Sequence, residues 1–161
     1  LSYDEQIRSV ADELKSQSSM LYIARGNLYP IALEGALKMK ELSYIAAQGY
    51  PAGELKHGPI ATIDKDMAVV VIFNNDELSV KTMSNLCEVK ARGAKIIAVA
   101  TNHNKNIYKE ADYFIELVNT ENFLQPIIAT IPLQLLAYHL SDLKGLDVDK
   151  PRNLAKSVTV E

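Results

Sequence analysis

Met67-Ala68-Val69-Val70-Val71-Ile72-Phe73 is an unbroken apolar run dominated by β-branched residues. A strand with one wet face alternates apolar and polar residues, so a run without alternation reads as a strand covered on both faces. Val and Ile suit that role because their branched side chains pack well on a pleated surface. Two similar runs flank it, Met20 to Ala24 (MLYIA) and Lys95 to Ala100 (KIIAVA). A fourth, Asp112 to Leu117 (DYFIEL), half alternates and suits the edge of a sheet. None approaches the roughly 20 apolar residues that a bilayer span needs.

Between these runs the apolar period changes to that of a helix. Tyr3 to Lys15 repeats through Ile7, Val10, Ala11 and Leu14. Pro30 fits the first position of a helix running through Ala32, Leu33, Ala36, Leu37 and Leu42, because its missing N–H is not needed there. Asp76 is expected to cap a helix from Glu77 to Ala91, with Gly93 as its stop. Phe123 to Leu143 reads as a long apolar helix that Pro126 and Pro132 kink or split. Strands alternating with helices predict parallel βαβ units and a doubly wound α/β domain. Two segments resist the pattern: Gln48 to Pro59, rich in Gly and Pro, and the tail from Lys144 to Glu161. Sites in such sheets lie on loops beyond the carboxyl ends of the strands, so chemistry is sought in these two.

The 161 residues suffice for one compact domain, or at most two small ones, and are 48% hydrophobic and 23% charged, as in ordinary globular chains. A net charge of -3 favours neither nucleic acid nor an anionic membrane as partner. The single Cys87 leaves no disulfide within the chain and fits a reduced, cytoplasmic setting. One Cys and three His also make a multi-ligand zinc site a poor expectation. The chain opens on Leu1 rather than Met, without a basic-then-apolar leader, and is expected to be a piece of a longer polypeptide or a processed product. There is no G-x-G-x-x-G, no G-x-x-x-x-G-K-[ST] and no G-x-S-x-G. Cys87, between Leu86 and Val89, reads as a buried, inert thiol.

Glu34, Lys38 and Glu41 stand at i, i+4 and i+7 and so share one helix face. That is the spacing of a solvated face with an ordinary ion pair. It is equally the spacing of a carboxylate held beside an ammonium, a pair able to move protons between adjacent carbons of a sugar. In Gly53-Glu54-Leu55-Lys56-His57-Gly58-Pro59 the flanking Gly and Pro predict a shaped loop. His57 there could shuttle a proton near neutrality or simply bond a backbone carbonyl. His103, in a polar loop from Thr101 to Asn106, is expected to be exposed, and His139, amid Leu135, Leu136 and Leu140, to be a core or interface residue. In the tail, Val158 and Val160 alternate with Thr159 and Glu161, as in an extended segment docked on the domain. Lys156 there is a surface lysine by default, or an imine-forming amine if burial lowers its pKa.

Three segments together carry a resemblance. Tyr29-Pro-Ile-Ala-Leu-Glu-Gly-Ala-Leu-Lys-Met-Lys-Glu-Leu-Ser-Tyr44, Ala52-Gly-Glu-Leu-Lys-His-Gly-Pro59 and Asp147-Val-Asp-Lys-Pro-Arg-Asn-Leu-Ala-Lys-Ser-Val-Thr-Val-Glu161 resemble, in order, the glucosamine-6-phosphate synthase family, the isomerizing glutamine–fructose-6-phosphate aminotransferases. The likeness runs over essentially the whole chain. It implies a three-layer, flavodoxin-like sugar isomerase (SIS) domain with a parallel sheet of about five strands and an extended C-terminal tail. A further short strand would lie within Ser43 to Tyr50. Residues 1–143 would be the second SIS domain and 144–161 a tail contributing to the active site.

The resemblance also implies roles. Glu41 matches the base that moves a proton between C1 and C2 of the sugar, and Lys38 the lysine that assists at the oxygen. His57 matches a histidine of ring opening that is donated across a dimer interface. Lys156 matches the lysine that forms a Schiff base with open-chain fructose 6-phosphate, and Ala155 a position whose backbone touches the sugar. Glu34 is given no more than a supporting charge. No cofactor or metal is implied. The partners would be fructose 6-phosphate and glucosamine 6-phosphate, a glutaminase domain and a first SIS domain in the same polypeptide, and a second copy in a homodimer. The family's Ser/Thr-rich phosphate loop has no counterpart in Arg25-Gly26-Asn27-Leu28-Tyr29, so this part is expected to hold half a site and to be inactive alone. A rival reading is a sugar-phosphate-binding regulatory SIS module without catalysis; a scaffold role, in which Phe123 to Leu143 supplies the dimer interface, is expected in addition to catalysis.

Overall fold

The computed structural model describes residues 2–101 and 105–154, the side chain of Lys105 excepted. Five strands form one sheet: β1 (Ser19–Ala24), β2 (Ala46–Pro51), β3 (Ala68–Ile72), β4 (Lys95–Thr101) and β5 (Tyr113–Leu117). Their order is β2-β1-β3-β4-β5 and every pairing is parallel, the doubly wound arrangement expected. Met20 lies opposite Ala68, and Ala68 opposite Lys95, so the three central strands stand in step. Every residue of β3 is buried, which is why its sequence shows no alternation. β5 alternates because it forms an edge.

Helices α1 (Tyr3–Leu14), α2 (Tyr29–Ser43) and α5 (Gln125–Leu143) cover one face of the sheet. Helices α3 (Leu78–Lys90) and α4 (Lys105–Glu110), with the 3-10 turns Ala52–His57 and Pro59–Thr62, cover the other. A reciprocal capping box starts α1: Ser2 Oγ accepts the Glu5 N–H, and Glu5 Oε2 accepts the Ser2 N–H at 2.7 Å. Among the described residues no helix is long and apolar enough to cross a membrane.

Several local expectations are corrected. Gln48 to Pro59 is not patternless: it holds most of β2 and then the 3-10 turn Ala52–His57, which buries Ala52 and Leu55. The further strand expected within Ser43 to Tyr50 is β2, one residue longer at its carboxyl end. Pro30 is the second rather than the first residue of its helix. Glu77, not Asp76, precedes α3, although Asp76 Oδ1 still accepts the Leu78 N–H at 2.9 Å. α5 begins at Gln125 and runs unsplit through Pro132. The polar stretch ending at Asn106 turns helical from Lys105. Cys87 is exposed, not buried. The buried residues of α3 are Thr82, Asn85, Leu86 and Val89, and one step past Leu86 rotates a side chain about 100° round the helix toward water.

Candidate functional site

Helix α2 follows β1, so it starts at the carboxyl edge of the sheet and ends at the amino edge, where β2 begins. Its last two turns carry Lys38 and Glu41. The Lys38 ammonium stands 2.8 Å from Glu41 Oε2 and 3.9 Å from Glu34 Oε1, all three side chains about one-third exposed. The hydrogen bond to Glu41 is the main cause that raises the Lys38 pKa above its ordinary 10.5, with the charges of Glu41 and Glu34 adding to it against partial desolvation. Lys38 therefore remains an ammonium throughout the neutral range, able to face a developing oxyanion. Glu34 is itself approached by Gln134 Nε2 of α5, at 3.4 Å.

The end of α2 is tied down from two sides. Ser141 Oγ of α5 donates to the Leu42 carbonyl at 2.8 Å. The chain beyond α5 turns at Gly145, where φ is +68°, and folds back. Asp147 Oδ1 shapes that return by accepting the N–H groups of Asp149 and Lys150. Pro151 is buried, and the Arg152 N–H donates to the Tyr44 hydroxyl at 2.8 Å. The result is a cleft of about 510 Å³ between Lys38, Glu41 and Leu42 of α2, Tyr138 of α5, and Val148, Asp149, Pro151 and Leu154 of the tail. A cleft of this size suits a small polar metabolite. It lies at the amino edge of the sheet, not on the loops beyond the carboxyl ends where the general rule for such folds directs attention.

His57 does not join this group. It ends the 3-10 turn after β2, beyond the carboxyl edge, and β2 alone separates the two places by roughly 17 Å. Its Nδ1 is 2.7 Å from Glu54 Oε2, so its partner is a carboxylate three residues back rather than a backbone carbonyl, and its side chain is 73% exposed. Ala155 and Lys156 lie outside the described residues, as do His103, Val158 and Val160. Leu154 at the rim of the cleft is the last residue described.

The loop after β1 is internally committed. Arg25 Nε and Nη2 both donate to Asn85 Oδ1, at 3.0 and 2.9 Å. Asn27 Oδ1 accepts from Asn74 Nδ2, and Asn27 Nδ2 donates to the Asn122 carbonyl. His139 is buried, with Nε2 2.8 Å from Asp4 Oδ1, as befits a core residue that ties α5 to α1. Among the described residues no group of three His, Cys, Asp or Glu side chains is placed to hold a metal ion. Sequence reasoning missed Tyr138 and the Tyr44–Arg152 contact. Both depend on where the tail returns, which no local spacing encodes.

A family model for the SIS domain matches residues 13–141. Over all 161 residues the chain is 53% identical to a glutamine–fructose-6-phosphate aminotransferase (isomerizing) of Bacteroides thetaiotaomicron and 51% identical to one of Escherichia coli K12. It spans about a quarter of the length of these relatives, 26% of each. A solved C-terminal domain of glucosamine-fructose-6-phosphate aminotransferase from Francisella tularensis superposes with a TM-score of 0.83 at 45% identity. That match covers 91% of this chain and 42% of that one. A solved putative tagatose-6-phosphate ketose/aldose isomerase from Clostridium novyi shares the fold, with a TM-score of 0.82 at 24% identity, covering 98% of this chain and 44% of that one.

Proposed function

The chain belongs to the SIS-domain family, and from that premise we propose that it is the carboxyl-terminal isomerase part of a cytoplasmic enzyme making glucosamine 6-phosphate from fructose 6-phosphate and glutamine. The observation that carries the proposal is the Lys38–Glu41 pair, 2.8 Å apart, in a cleft that the returning tail closes. A proton shift between adjacent sugar carbons needs a base at carbon and a cation at oxygen, and this pair presents both from one helix face.

The sugar enters in open-chain form. The amine of Lys156 adds to the C2 carbonyl and water leaves, giving an imine, from which ammonia displaces the lysine. Glu41 then takes a proton from C1 and returns it to C2, while the C1 hydroxyl proton passes to the imine nitrogen, leaving an aldehyde at C1 and an amine at C2. Lys38 balances the negative charge that develops at the C1 oxygen. Lys156 follows Leu154 by two residues, and two residues of chain reach at most about 7 Å, so the sequence tethers that amine to the cleft rim. His57 assists ring opening in the cleft of a second copy, which its place at the opposite edge of the sheet supports. The sugar phosphate is held by the preceding SIS domain of the same polypeptide, and a glutaminase domain supplies ammonia.

The test is Glu41→Gln in the full-length enzyme. The amide keeps shape and hydrogen bonding but cannot take the C1 proton. Fructose 6-phosphate is expected to bind with unchanged affinity while isomerisation falls by at least about a hundredfold. Retained turnover would falsify the assignment of the base.

A further inference from the structure

Tyr44 ends α2 with its backbone in the left-handed region, φ 59° and ψ 20°. A helix end in this conformation ordinarily carries Gly or Asn, because a larger side chain crowds the backbone there. A bulky aromatic at such a place persists where surrounding contacts over-determine it. Two such contacts are present, and both fall on one residue of the tail. The Arg152 N–H donates to the Tyr44 hydroxyl at 2.8 Å, and the Arg152 guanidinium lies over the Tyr44 ring, 4.1 Å from its centre.

Among the described residues one other non-glycine has a positive φ: Asn153, at 62°, directly after Arg152. The two left-handed positions therefore flank the Tyr44–Arg152 contacts. On one side, Tyr44 follows Glu41 by three residues; on the other, Asn153 precedes Lys156 by three. Tyr44 does not line the cleft, so it has no direct claim on substrate. Its contacts act on the segment that must arrive beside Glu41.

We infer that Tyr44 is a positioning residue for the isomerase step. Its ring and hydroxyl fasten the tail turn at Arg152 to the end of α2, and thereby set where the chain leading to Lys156 departs relative to Glu41 and Lys38. The inference rests on the reading of Lys156 as the imine-forming lysine. It assigns to the end of α2 a second task beside carrying the base: registering the tail against it.

The experiment uses the full-length enzyme with fructose 6-phosphate, borohydride trapping and peptide mass mapping. Tyr44→Gly places at the left-handed position the residue most at ease there, so the helix end is kept while both tail contacts are lost. Its unfolding midpoint and KM are expected to stay near wild type, while kcat and the trapping rate on Lys156 fall roughly 10- to 100-fold, as displaced reacting groups do. Tyr44→Phe keeps the ring beneath Arg152 and loses only the hydroxyl acceptor, so an intermediate loss of roughly three- to tenfold is expected. If Tyr44→Gly fails to fold, Tyr44→Phe decides alone: the same loss supports the inference, and a wild-type rate overturns it. A wild-type enzyme that traps sugar on Lys156 while both variants trap as fast overturns this inference and leaves the proposed function intact. A wild-type enzyme that never traps sugar on Lys156 removes the imine reading, and the positioning role with it.

Discussion

Glu41 gains its chemical meaning from Lys38, because a carboxylate alone on a helix is commonplace and one paired with a cation in a cleft is not. The i,i+3 spacing that joins them was visible in the sequence, since a helix face is fixed by the 3.6-residue period. Tyr44 gave no such signal: left-handed helix ends are announced by Gly or Asn, and a tyrosine there is explained only once Arg152 is seen across from it. Tyr22 of β1 poses the opposite case, a polar atom with no evident task. It is fully buried, and its hydroxyl has no partner among the described residues. Burial pushes its ionisation above the usual tyrosine value near 10. Above about pH 10 the unfolded chain therefore loses a proton that the folded chain keeps, and stability falls as pH rises. Tyr22→Phe is expected to be as stable as wild type or up to about 1 kcal/mol more so at neutral pH. Its alkaline decline should also be shallower. Urea unfolding at pH 7 and pH 10.5 measures both; a clear loss at pH 7 would reveal a partner for the hydroxyl.

At the scale of elements, what could be read depended on burial. β1, β3 and β4 announce themselves because helical layers cover both their faces, so every position is free to be apolar. β2 pairs on one side only and reads Ala-Ala-Gln-Gly-Tyr-Pro, neither a run nor a clean alternation. Its composition answers to α2. A Cβ on Gly49 would stand 2.9 Å from Leu33 Cα and 3.0 Å from the Ala32 carbonyl, all backbone atoms with no rotamer to yield. Gly49→Ala must therefore lift α2 from the sheet, at a cost of about 1–3 kcal/mol. A denaturant midpoint unchanged from wild type would mean that the helix rides more loosely on β2 than the packing indicates. The 3-10 turn Ala52–His57 and the six-residue α4 escaped notice because elements so short show no more than two helical turns of any pattern.

For the whole molecule, the parallel sheet imposes a polarity. Glu41 and His57 sit near opposite edges, with the length of β2 between them, so one copy does not bring both to one small ligand. If each site of a two-fold dimer takes its histidine from the neighbour, two dead variants should repair each other. Full-length Glu41→Gln and His57→Ala, unfolded together and refolded, are expected to recover about 25% of wild-type activity. Half of the dimers would then be mixed, each with one intact site. No recovery above the separate variants, in a mixture shown to contain mixed dimers, would place His57 outside the shared site.

The polarity of the layers has a practical side as well. Cys87 is this chain's single thiol and it is exposed on α3, in the layer across the sheet from α2, α5 and the cleft. A fluorophore attached there reports from the layer that also holds the Ala52–His57 turn, across the sheet from this copy's own cleft. A change in its signal on adding fructose 6-phosphate would then arrive either through the β-strands or through the His57 turn beside it, and its loss in His57→Ala would separate the second route from the first.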